Sequence, residues 1–551
     1  MSRLSVTSAL LCTSIGAATA PAAPSLAMPP PWIADLADGT YQNPVLFADY
    51  SDPDAVRVGD DFYLTASSFS SVPGLPILHS RDLVNWTLIN HALPRLVPVD
   101  HFRTPRHGEG VWAPALRYRD GRFWLYYPDP DFGIYLTTAT DPAGTWSAPQ
   151  LVLPGPGLID PCPWWDESGQ LYLVHGWARS RAGFANRLTL VRLSSDGLSA
   201  TDEGQTIIDG ELLADMKTLE GPKVYSRHGY VYIFAPANGV ATGEQWVFRA
   251  RRIEGPYERR IVLAQGDTAI NGPHQGAWVD TPAGEDWFLH FQERQPYGRI
   301  MHLQPMVWSD DDWPVMGDDP DGDGIGSPVL RHAKPAGSPP QPITAPPASD
   351  TFADGRPGLQ WQWNANPTQP SPLTPAKAGH LRLRATPVPD GVSLYDAPNL
   401  LLQKFAAPAF TATTTLDFSA AHVGESAGLI VYGYSLAWIG LRHDPRGLQL
   451  VVQTQPEASA RHTGPTEAFA TPALAGKPVH LRLTVEEGGR CHFAYAFGDD
   501  TFTAVALDFT ASEGRWVGAR FGLFATAAPE ADPSTSGIAD FASVSVTSPT
   551  R

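Results

Sequence analysis

The chain has 551 residues, enough for two or more domains, and 17% of them are charged. Its formal net charge of −18 argues against nucleic acid or an anionic membrane as partner, because both favour Lys- and Arg-rich surfaces. The charge suits a neutral substrate such as a sugar, and 50 Gly with 54 Pro indicate many short strands and turns rather than long helices.

Residues 1–27 resemble a secretory signal peptide, with one basic residue, a short apolar stretch and small residues at Ala18 and Ala20. We therefore expect the protein to be secreted or periplasmic. No later apolar run is long enough to span a bilayer, so no membrane partner is expected. Cys162 and Cys491 fall in different predicted domains, which makes a disulfide between them improbable.

Between residues 38 and 330 one pattern recurs: a polar turn with a glycine, then an aromatic-rich strand. The five glycines are Gly59, Gly121, Gly169, Gly229 and Gly284, and another strand precedes each of them. Hairpin-centred units of roughly 50–60 residues match the four-stranded blades of a β-propeller. The sequence therefore predicts a five-bladed β-propeller over 38–330. A β-sandwich is the alternative, but it gives no reason for one hairpin to recur.

The residues that open the five preceding strands have distinctive side chains. They are Asp52, Trp112, Asp160, Glu220 and His274. Because the first strand of each propeller blade lines the channel, we expect these side chains to meet at one mouth of it. Prolines beside them support this, since proline occurs at strand starts and edges. Proline should also hold the aspartates before it in an extended conformation.

The second half of the chain reads as a linker and another domain. Residues 331–349 contain six prolines, which predict a stiff, extended linker. Residues 350–548 alternate apolar and polar side chains between frequent turns, which predicts an antiparallel β-sandwich. No catalytic cluster is visible there, and we expect this domain to bind carbohydrate, to buttress the propeller, or both. The predicted fold class is all-β.

Three carboxylates at equivalent positions indicate glycoside hydrolysis. A protonated carboxyl donates to the leaving oxygen, while an ionised partner activates water or attacks the anomeric carbon. A third carboxylate nearby raises the pKa of the acid by like-charge repulsion. A non-catalytic carbohydrate-binding propeller is the competing hypothesis, but binding alone does not need an acid–base pair.

Blocks at 43–86, 110–118, 158–165, 219–225 and 297–308 occur in an order that resembles glycoside hydrolase family 43. The resemblance covers about residues 40 to 330. The region after 350 resembles, more loosely, the concanavalin A-like domain that follows the propeller in the β-xylosidase branch. The resemblance to this family implies an inverting exo-glycosidase that removes terminal pentoses, as β-1,4-xylosides, from xylan-derived oligosaccharides. An α-L-arabinofuranosidase or a bifunctional enzyme is the alternative.

The resemblance also implies roles for the three carboxylates. Asp52 matches the general base, Glu220 the general acid, and Asp160 the residue that tunes the pKa and orients the acid. Inversion implies carboxyl groups roughly 6.5–9.5 Å apart, which leaves room for a water. The base segment departs from the family's frequent "PDPS" pattern at Ser51 and Asp54, but the key Asp and Pro remain.

Further residues match the family's sugar and ion contacts. Arg299 matches an arginine that contacts the sugar in the glycone subsite, and Phe69 and Trp112 match its aromatic walls. His274 matches a histidine near the channel centre, where many members hold a calcium ion through water. The resemblance implies no cofactor for the chemistry, a possible structural calcium, and a small oligosaccharide or polysaccharide as the partner. The sequence does not indicate an oligomeric state.

Overall fold

The computed structural model describes residues 28–367, 377–389, 391–460, 464–474, 476–498 and 501–549. The predicted signal peptide, residues 1–27, lies outside the described residues. Helical elements in the described part are single short turns, at Arg179–Ala182, His101–Arg103, Gly210–Leu212, Leu394–Asp396 and Ala458–Ala460. No helix among these residues is long and apolar enough to cross a membrane.

The first half of the chain forms five antiparallel sheets, each built from four consecutive strands in order. Blade I comprises Asp54–Val58, Asp61–Thr65, Gly74–Ser80 and Thr87–Leu93. Blade II comprises Ala115–Arg119, Arg122–Asp129, Gly133–Ala139 and Gln150–Pro154. Blade III comprises Leu158–Trp165, Leu171–Trp177, Arg187–Arg192 and Gln205–Asp209. Blade IV comprises Lys223–Arg227, Tyr230–Ala237, Glu244–Ala250 and Glu258–Leu263. Blade V comprises His274–Asp280, Asp286–Arg294, Gly298–Trp308 and Pro314–Met316.

The recurrent glycines have a common structural reason. In every blade the glycine lies in the tight turn between the first and second strands, with φ between +65° and +86°. Glycine adopts this left-handed region without the steric cost that other residues meet. The five-bladed propeller predicted from these turns is confirmed.

The ring is closed by the segment that precedes blade I. Thr40–Gln42 pairs with Arg331–Ala333, and Leu46 forms an antiparallel bridge with Met301 in blade V. The Asn43 side chain also bonds both the amide and the carbonyl of Leu303, each at 2.8 Å. Residues 331–333, which composition assigns to the linker, are therefore a strand of the closure.

The rest of the proline-rich segment lies along the propeller. The Lys334 ammonium contacts Asp35 at 2.6 Å and Asp82 at 2.9 Å. Further on, the Thr344 amide donates to the Asn85 side-chain oxygen at 2.9 Å. These contacts attach the segment to blade I.

The described residues of the second half form two sheets packed face to face, as predicted, and their strands pair antiparallel except for Thr386–Pro387, which pairs in parallel with Arg520–Ala527. One contains Gln362–Trp363, Thr386–Pro387, Leu400–Lys404, Ser426–Tyr432, Leu436–Asp444, Gly447–Gln455, Thr466–Pro472 and Arg520–Ala527. The other contains Leu381–Arg384, Phe410–Ser419, Val479–Val485, Arg490–Phe497, Thr503–Thr510, Ile538–Phe541 and Ser545–Thr547. Their alternating apolar side chains meet in one buried core.

The sandwich is joined to the propeller by backbone and side-chain hydrogen bonds. Trp363 and Val72 exchange backbone hydrogen bonds across the interface. The Asn366 side chain accepts from the Leu96 amide and donates to the Leu96 and Val99 carbonyls at 3.0–3.1 Å. Buried apolar side chains of both domains belong to one continuous core. The sandwich thus buttresses the propeller, one of the two roles expected for it.

Candidate active site

Asp52 lies at the entrance of the first strand of blade I and is only 5% exposed. Its carboxylate accepts hydrogen bonds from the hydroxyls of Ser51 at 2.7 Å and Ser67 at 2.6 Å. The Arg299 guanidinium donates to the same carboxylate at 3.1 Å. These donors fix the direction in which the Asp52 carboxylate points.

The backbone of the two Asp-Pro pairs differs from the extended conformation that proline predicts. Asp52 and Asp160 have φ values of +53° and +55°, in the left-handed region. At Asp160 the strand pairing is interrupted by a register shift between Ile159 and Cys162. A bulge of this kind redirects a side chain, and aspartate tolerates positive φ better than most residues. The tertiary structure therefore overrides the local preference of the pre-proline residue.

Asp160 is the most deeply enclosed of the three carboxylates, at 2% exposure. Its Oδ2 accepts from the Gly221 amide at 2.7 Å and from the Gln275 side chain at 3.4 Å. Burial, and then the charges of Glu220 and Asp52, raise the pKa of Asp160 well above its usual value. A buried carboxyl beside other carboxylates thus retains its proton more readily than a solvated one.

Glu220 is followed by a glycine for a geometric reason. Gly221 has φ +59°, and a Cβ at this position would lie 2.5 Å from the Gln275 side chain. The missing side chain lets the Gly221 amide reach Asp160, which brings blades III and IV together. Glu220 is thereby held beside Asp160, while its own side chain remains 29% exposed.

His274 contacts Glu220 directly. Its Nε2 lies 3.0 Å from Glu220 Oε1, and the imidazole is fully buried against Phe291. The other ring nitrogen, Nδ1, is buried and has no hydrogen-bond partner in the described protein. His274 therefore orients one oxygen of Glu220 and leaves a polar atom available for a water.

Arg299 lies between the base and a second carboxylate. Its guanidinium contacts Asp52 and, at 3.6 Å, Glu293, and lies 4.9 Å from the centre of the Phe291 ring. The side chain is 11% exposed, so a small part of it remains accessible. A fixed, partly accessible guanidinium is suited to donating to sugar hydroxyls.

The aromatic wall includes a residue that sequence analysis missed. Phe69 and Trp112 have ring centroids 6.5 Å apart, and Trp516 of the sandwich domain contacts both, at 6.3 and 4.6 Å. The Arg181 guanidinium also lies over the Trp112 ring, 5.3 Å from its centre. Phe69 follows the Asp52-bound Ser67 by two residues, which places the wall beside the base. No local pattern in the sandwich sequence could have revealed Trp516.

The predicted site residues are therefore brought together at one mouth of the channel. Carboxylates from blades I, III and IV lie close enough to influence one another. A Cβ on Gly176 would lie 3.7 Å from Asp160 Oδ2 and 3.8 Å from Glu220 Cα. The arrangement combines a buried network of hydrogen-bond donors around Asp52 with the Asp160 carboxyl, whose pKa is raised, beside Glu220.

Two places in the described structure bear on the expected calcium ion: an acidic turn and His274. Among the described residues, the one group of three or more close His, Cys, Asp or Glu ligands is Asp319, Asp321 and Asp323, in an acidic turn remote from His274 in the chain. Two of these aspartates accept hydrogen bonds from backbone amides of their own turn. At His274 the partnerless Nδ1 fits a water-mediated contact, while the part of the chain that the structure describes places no group of three ligands around it.

Comparison with known proteins adds an independent observation. The model of "Glycosyl hydrolases family 43" matches residues 41–314, and that of "Beta xylosidase C-terminal Concanavalin A-like domain" matches residues 349–547. The two matches correspond to the propeller and the sandwich.

Individual relatives are similar over most of their length. A Xylanibacter ruminicola protein named "Putative beta-xylosidase" is 37% identical over 89% of this chain and 87% of its own. A Bacteroides ovatus "Non-reducing end alpha-L-arabinofuranosidase" is 29% identical over 73% of this chain and 75% of its own. The crystal structure of a xylan β-1,4-xylosidase from Bacillus halodurans superposes with a TM-score of 0.80, covering 92% of this chain and 99% of that one. It is 24% identical, so this likeness concerns the fold alone.

Proposed function

This chain belongs to glycosyl hydrolase family 43, and we propose that it is an inverting exo-glycosidase that releases terminal β-1,4-linked xylose from xylan-derived oligosaccharides. The observation that carries the proposal is the convergence of Asp52, Asp160 and Glu220 at one channel mouth, beside Arg299 and His274. The name of the Xylanibacter relative supports xylose as the sugar.

The carboxylates divide the reaction between them. Asp52, which accepts hydrogen bonds from two hydroxyls and Arg299, removes a proton from a water as the water oxygen bonds to the anomeric carbon. Glu220 gives its proton to the glycosidic oxygen as the bond between that oxygen and the anomeric carbon breaks. The water thus supplies the new hydroxyl, and attack from the face opposite the leaving group inverts the configuration.

Asp160 and His274 act through Glu220. Asp160 lies beside the Glu220 backbone, and repulsion between the two carboxyl groups disfavours the ionisation of both at once. The imidazole of His274 holds Glu220 Oε1, which leaves the other carboxyl oxygen for the substrate. Both residues therefore position or tune the acid and do not touch the anomeric carbon.

The pocket wall supports exo-action on a pentose. Phe69, Trp112 and Trp516 form an aromatic wall to which both domains contribute, and apolar ring faces pack against sugar C–H groups. A pentose lacks the exocyclic CH₂OH of a hexose, so a close-fitting wall would discriminate between them by shape. Arg299 supplies donors for the hydroxyls of the terminal sugar.

Two further features belong to the proposal. We infer that a calcium ion, when bound, is held through water by His274, whose partnerless Nδ1 fits that role; the ion would supply positive charge near the acid pair. We also infer export to the periplasm or medium, because residues 1–27 have the composition of a signal peptide.

A panel of 4-nitrophenyl glycosides tests the activity, with the anomer of the first product followed by NMR. We expect turnover of the β-D-xyloside and initial release of α-xylose. Preference for the α-L-arabinofuranoside would favour the alternative that the Bacteroides relative suggests. Activity on a hexoside alone would overturn the pentose assignment, and saturable sugar binding without any turnover would support the non-catalytic propeller.

A further inference from the structure

One buried carboxylate connects the two domains at the edge of the site. Asp49, which is 4% exposed, accepts a hydrogen bond from the Arg299 amide at 2.9 Å through Oδ1. Its Oδ2 accepts from the Gly518 amide at 3.0 Å. One side chain thus binds the backbone of blade V and the backbone of a sandwich loop.

Each of the two amides belongs to a part of the glycone pocket. Arg299 carries the guanidinium that contacts Asp52. Gly518 follows, by two residues, Trp516, whose ring lies 4.6 Å from that of Trp112. The length of the carboxylate therefore sets the separation between the sugar-binding arginine and the aromatic residue that completes the wall.

The surrounding packing leaves the loop little freedom. The Ala519 amide donates to the Pro296 carbonyl at 2.7 Å. A Cβ on Gly518 would lie 2.3 Å from the Tyr297 carbonyl oxygen, and one on Gly298 would lie 2.5 Å from the Gly518 amide nitrogen. Gly518 and Gly298 thus allow the loop and the hairpin to approach closely, and Asp49 accepts one amide hydrogen bond from each segment, from Gly518 and from Arg299.

Asp49 also attracts two buried cations, Lys404 and Arg520. Burial lowers the pKa of Lys404 to about 8, against the attraction of Asp49. The pKa of Arg520 is lowered by burial in the same way, and again Asp49 opposes the shift. An experiment on Asp49 must therefore separate lost stability from a displaced pocket.

We propose that Asp49 is a positioning residue for the glycone subsite, which it assembles by tying Arg299 to the loop that carries Trp516. The proposal rests on the proposed function, since it assumes that this pocket receives the terminal sugar. It adds that the sandwich domain completes the subsite through a specific charge-assisted contact.

Asp49→Asn is the first test, because it preserves size but leaves one of the two amides facing an NH₂ group. Loss of one charge-assisted hydrogen bond should raise KM for 4-nitrophenyl β-D-xyloside about tenfold. The inhibition constant of free xylose should rise in parallel. Because the leaving group is not involved, aryl xylosides with good and poor leaving groups should be affected by the same factor.

Gly518→Ala provides a second variant that leaves the charge in place. Its added methyl would collide with the Tyr297 carbonyl and push the loop outward, so we expect the same rise in KM and in the xylose inhibition constant. Asn366→Ala is the matched control. It removes buried interdomain hydrogen bonds away from the pocket, and should lower Tm while leaving KM within about twofold of wild type.

A double-mutant cycle with Trp516→Ala decides whether Asp49 acts on the pocket. If it does, the effects of Asp49→Asn and Trp516→Ala on KM should be strongly non-additive, whereas Asn366→Ala and Trp516→Ala should combine additively. Asp49→Asn with lowered Tm and wild-type KM and xylose affinity would overturn the proposal. If wild-type protein failed to hydrolyse any pentoside, the proposed function would fail, and xylose-induced thermal shifts of the same variants would still test Asp49.

Discussion

The indole ring of Trp516 meets that of Trp112 edge to face, with centroids 4.6 Å apart, although one residue belongs to the sandwich and the other to the propeller. Such aromatic pairs contribute about 0.5–1.5 kcal/mol beyond their buried area. The contact makes the second domain part of the candidate pocket and not a remote appendage.

Replacing Trp516 should therefore change substrate selection more than folding. Trp516→Ala opens the aromatic wall, so we expect KM for an aryl xyloside to rise about tenfold or more, in line with loss of a stacking aromatic contact. Relative activity on the matching β-D-glucoside should increase, because the wall no longer excludes CH₂OH. Steady-state kinetics on both glycosides measure this. Unchanged KM and selectivity would place Trp516 outside the subsite.

Removal of the whole sandwich should be more damaging. A chain ending near residue 335 would expose the apolar core shared between the domains and lose the Asn366 hydrogen bonds to the propeller. We expect insoluble or inactive protein, checked by expression, gel filtration and activity. A soluble and fully active propeller would leave the sandwich only an accessory role.

The acid and the base should respond differently to the leaving group. Glu220→Ala should lose about 10²–10⁴-fold on xylobiose, the usual range for general acid catalysis, and far less on a dinitrophenyl xyloside, whose phenolate needs no proton. Asp52→Ala should be crippled on both substrates, since water must always be deprotonated. Rescue of the Asp52 variant, and not of the Glu220 variant, by the good leaving group would reverse the two assignments.

Asp160 should impose a pH-dependent cost on stability. The pKa of Asp160 in the folded state is raised above the value of about 3.9 for an unfolded aspartate. Between these two pKa values the folded state holds a proton that the unfolded state has lost. The free energy of unfolding therefore falls as the pH rises from the unfolded to the folded pKa. Asp160→Asn should therefore melt above wild type at pH 7, with the difference shrinking toward pH 4. Melting curves across this range measure the effect.

A control for that prediction is Asp54→Asn. Asp54 is fully buried and accepts from Arg117 at 2.7 Å, so its loss leaves a buried cation without its partner and should lower Tm at every pH. The basic limb of the pH–activity profile should also move to lower pH in the Asp160 variant, because the carboxyl whose pKa is raised beside Glu220 is gone. A stability difference independent of pH would contradict the assignment of a raised pKa to Asp160.

Calcium removal tests the role of His274. If the ion is held through His274, EDTA should lower Tm or activity of the wild type, and added calcium should restore it. His274→Ala should be less active because Glu220 loses its partner, but EDTA should have no additional effect on it. An EDTA response that persists unchanged in this variant would place the ion elsewhere, and no response in the wild type would make His274 purely structural.

Much of the architecture could be predicted because it depends on local chemistry. Each blade repeats a glycine turn, and only glycine adopts that turn's positive φ without strain. Equivalent strand starts in a closed ring must converge, so the sequence determined that Asp52, Asp160, Glu220 and His274 would share one channel mouth. It also determined the alternating strands of the sandwich, because the period of two is a local property.

The tertiary structure decided what no local pattern specifies. The left-handed backbone of Asp52 and Asp160 follows from a bulge and from packing, against the extended preference of a residue before proline. Residues 331–333 became a strand because Thr40–Gln42 offered an open edge. Trp516 entered the pocket, and Asp49 joined two domains, through contacts between segments far apart in the chain. Such contacts depend on how the two domains pack, and neither composition nor periodicity of either segment encodes that packing.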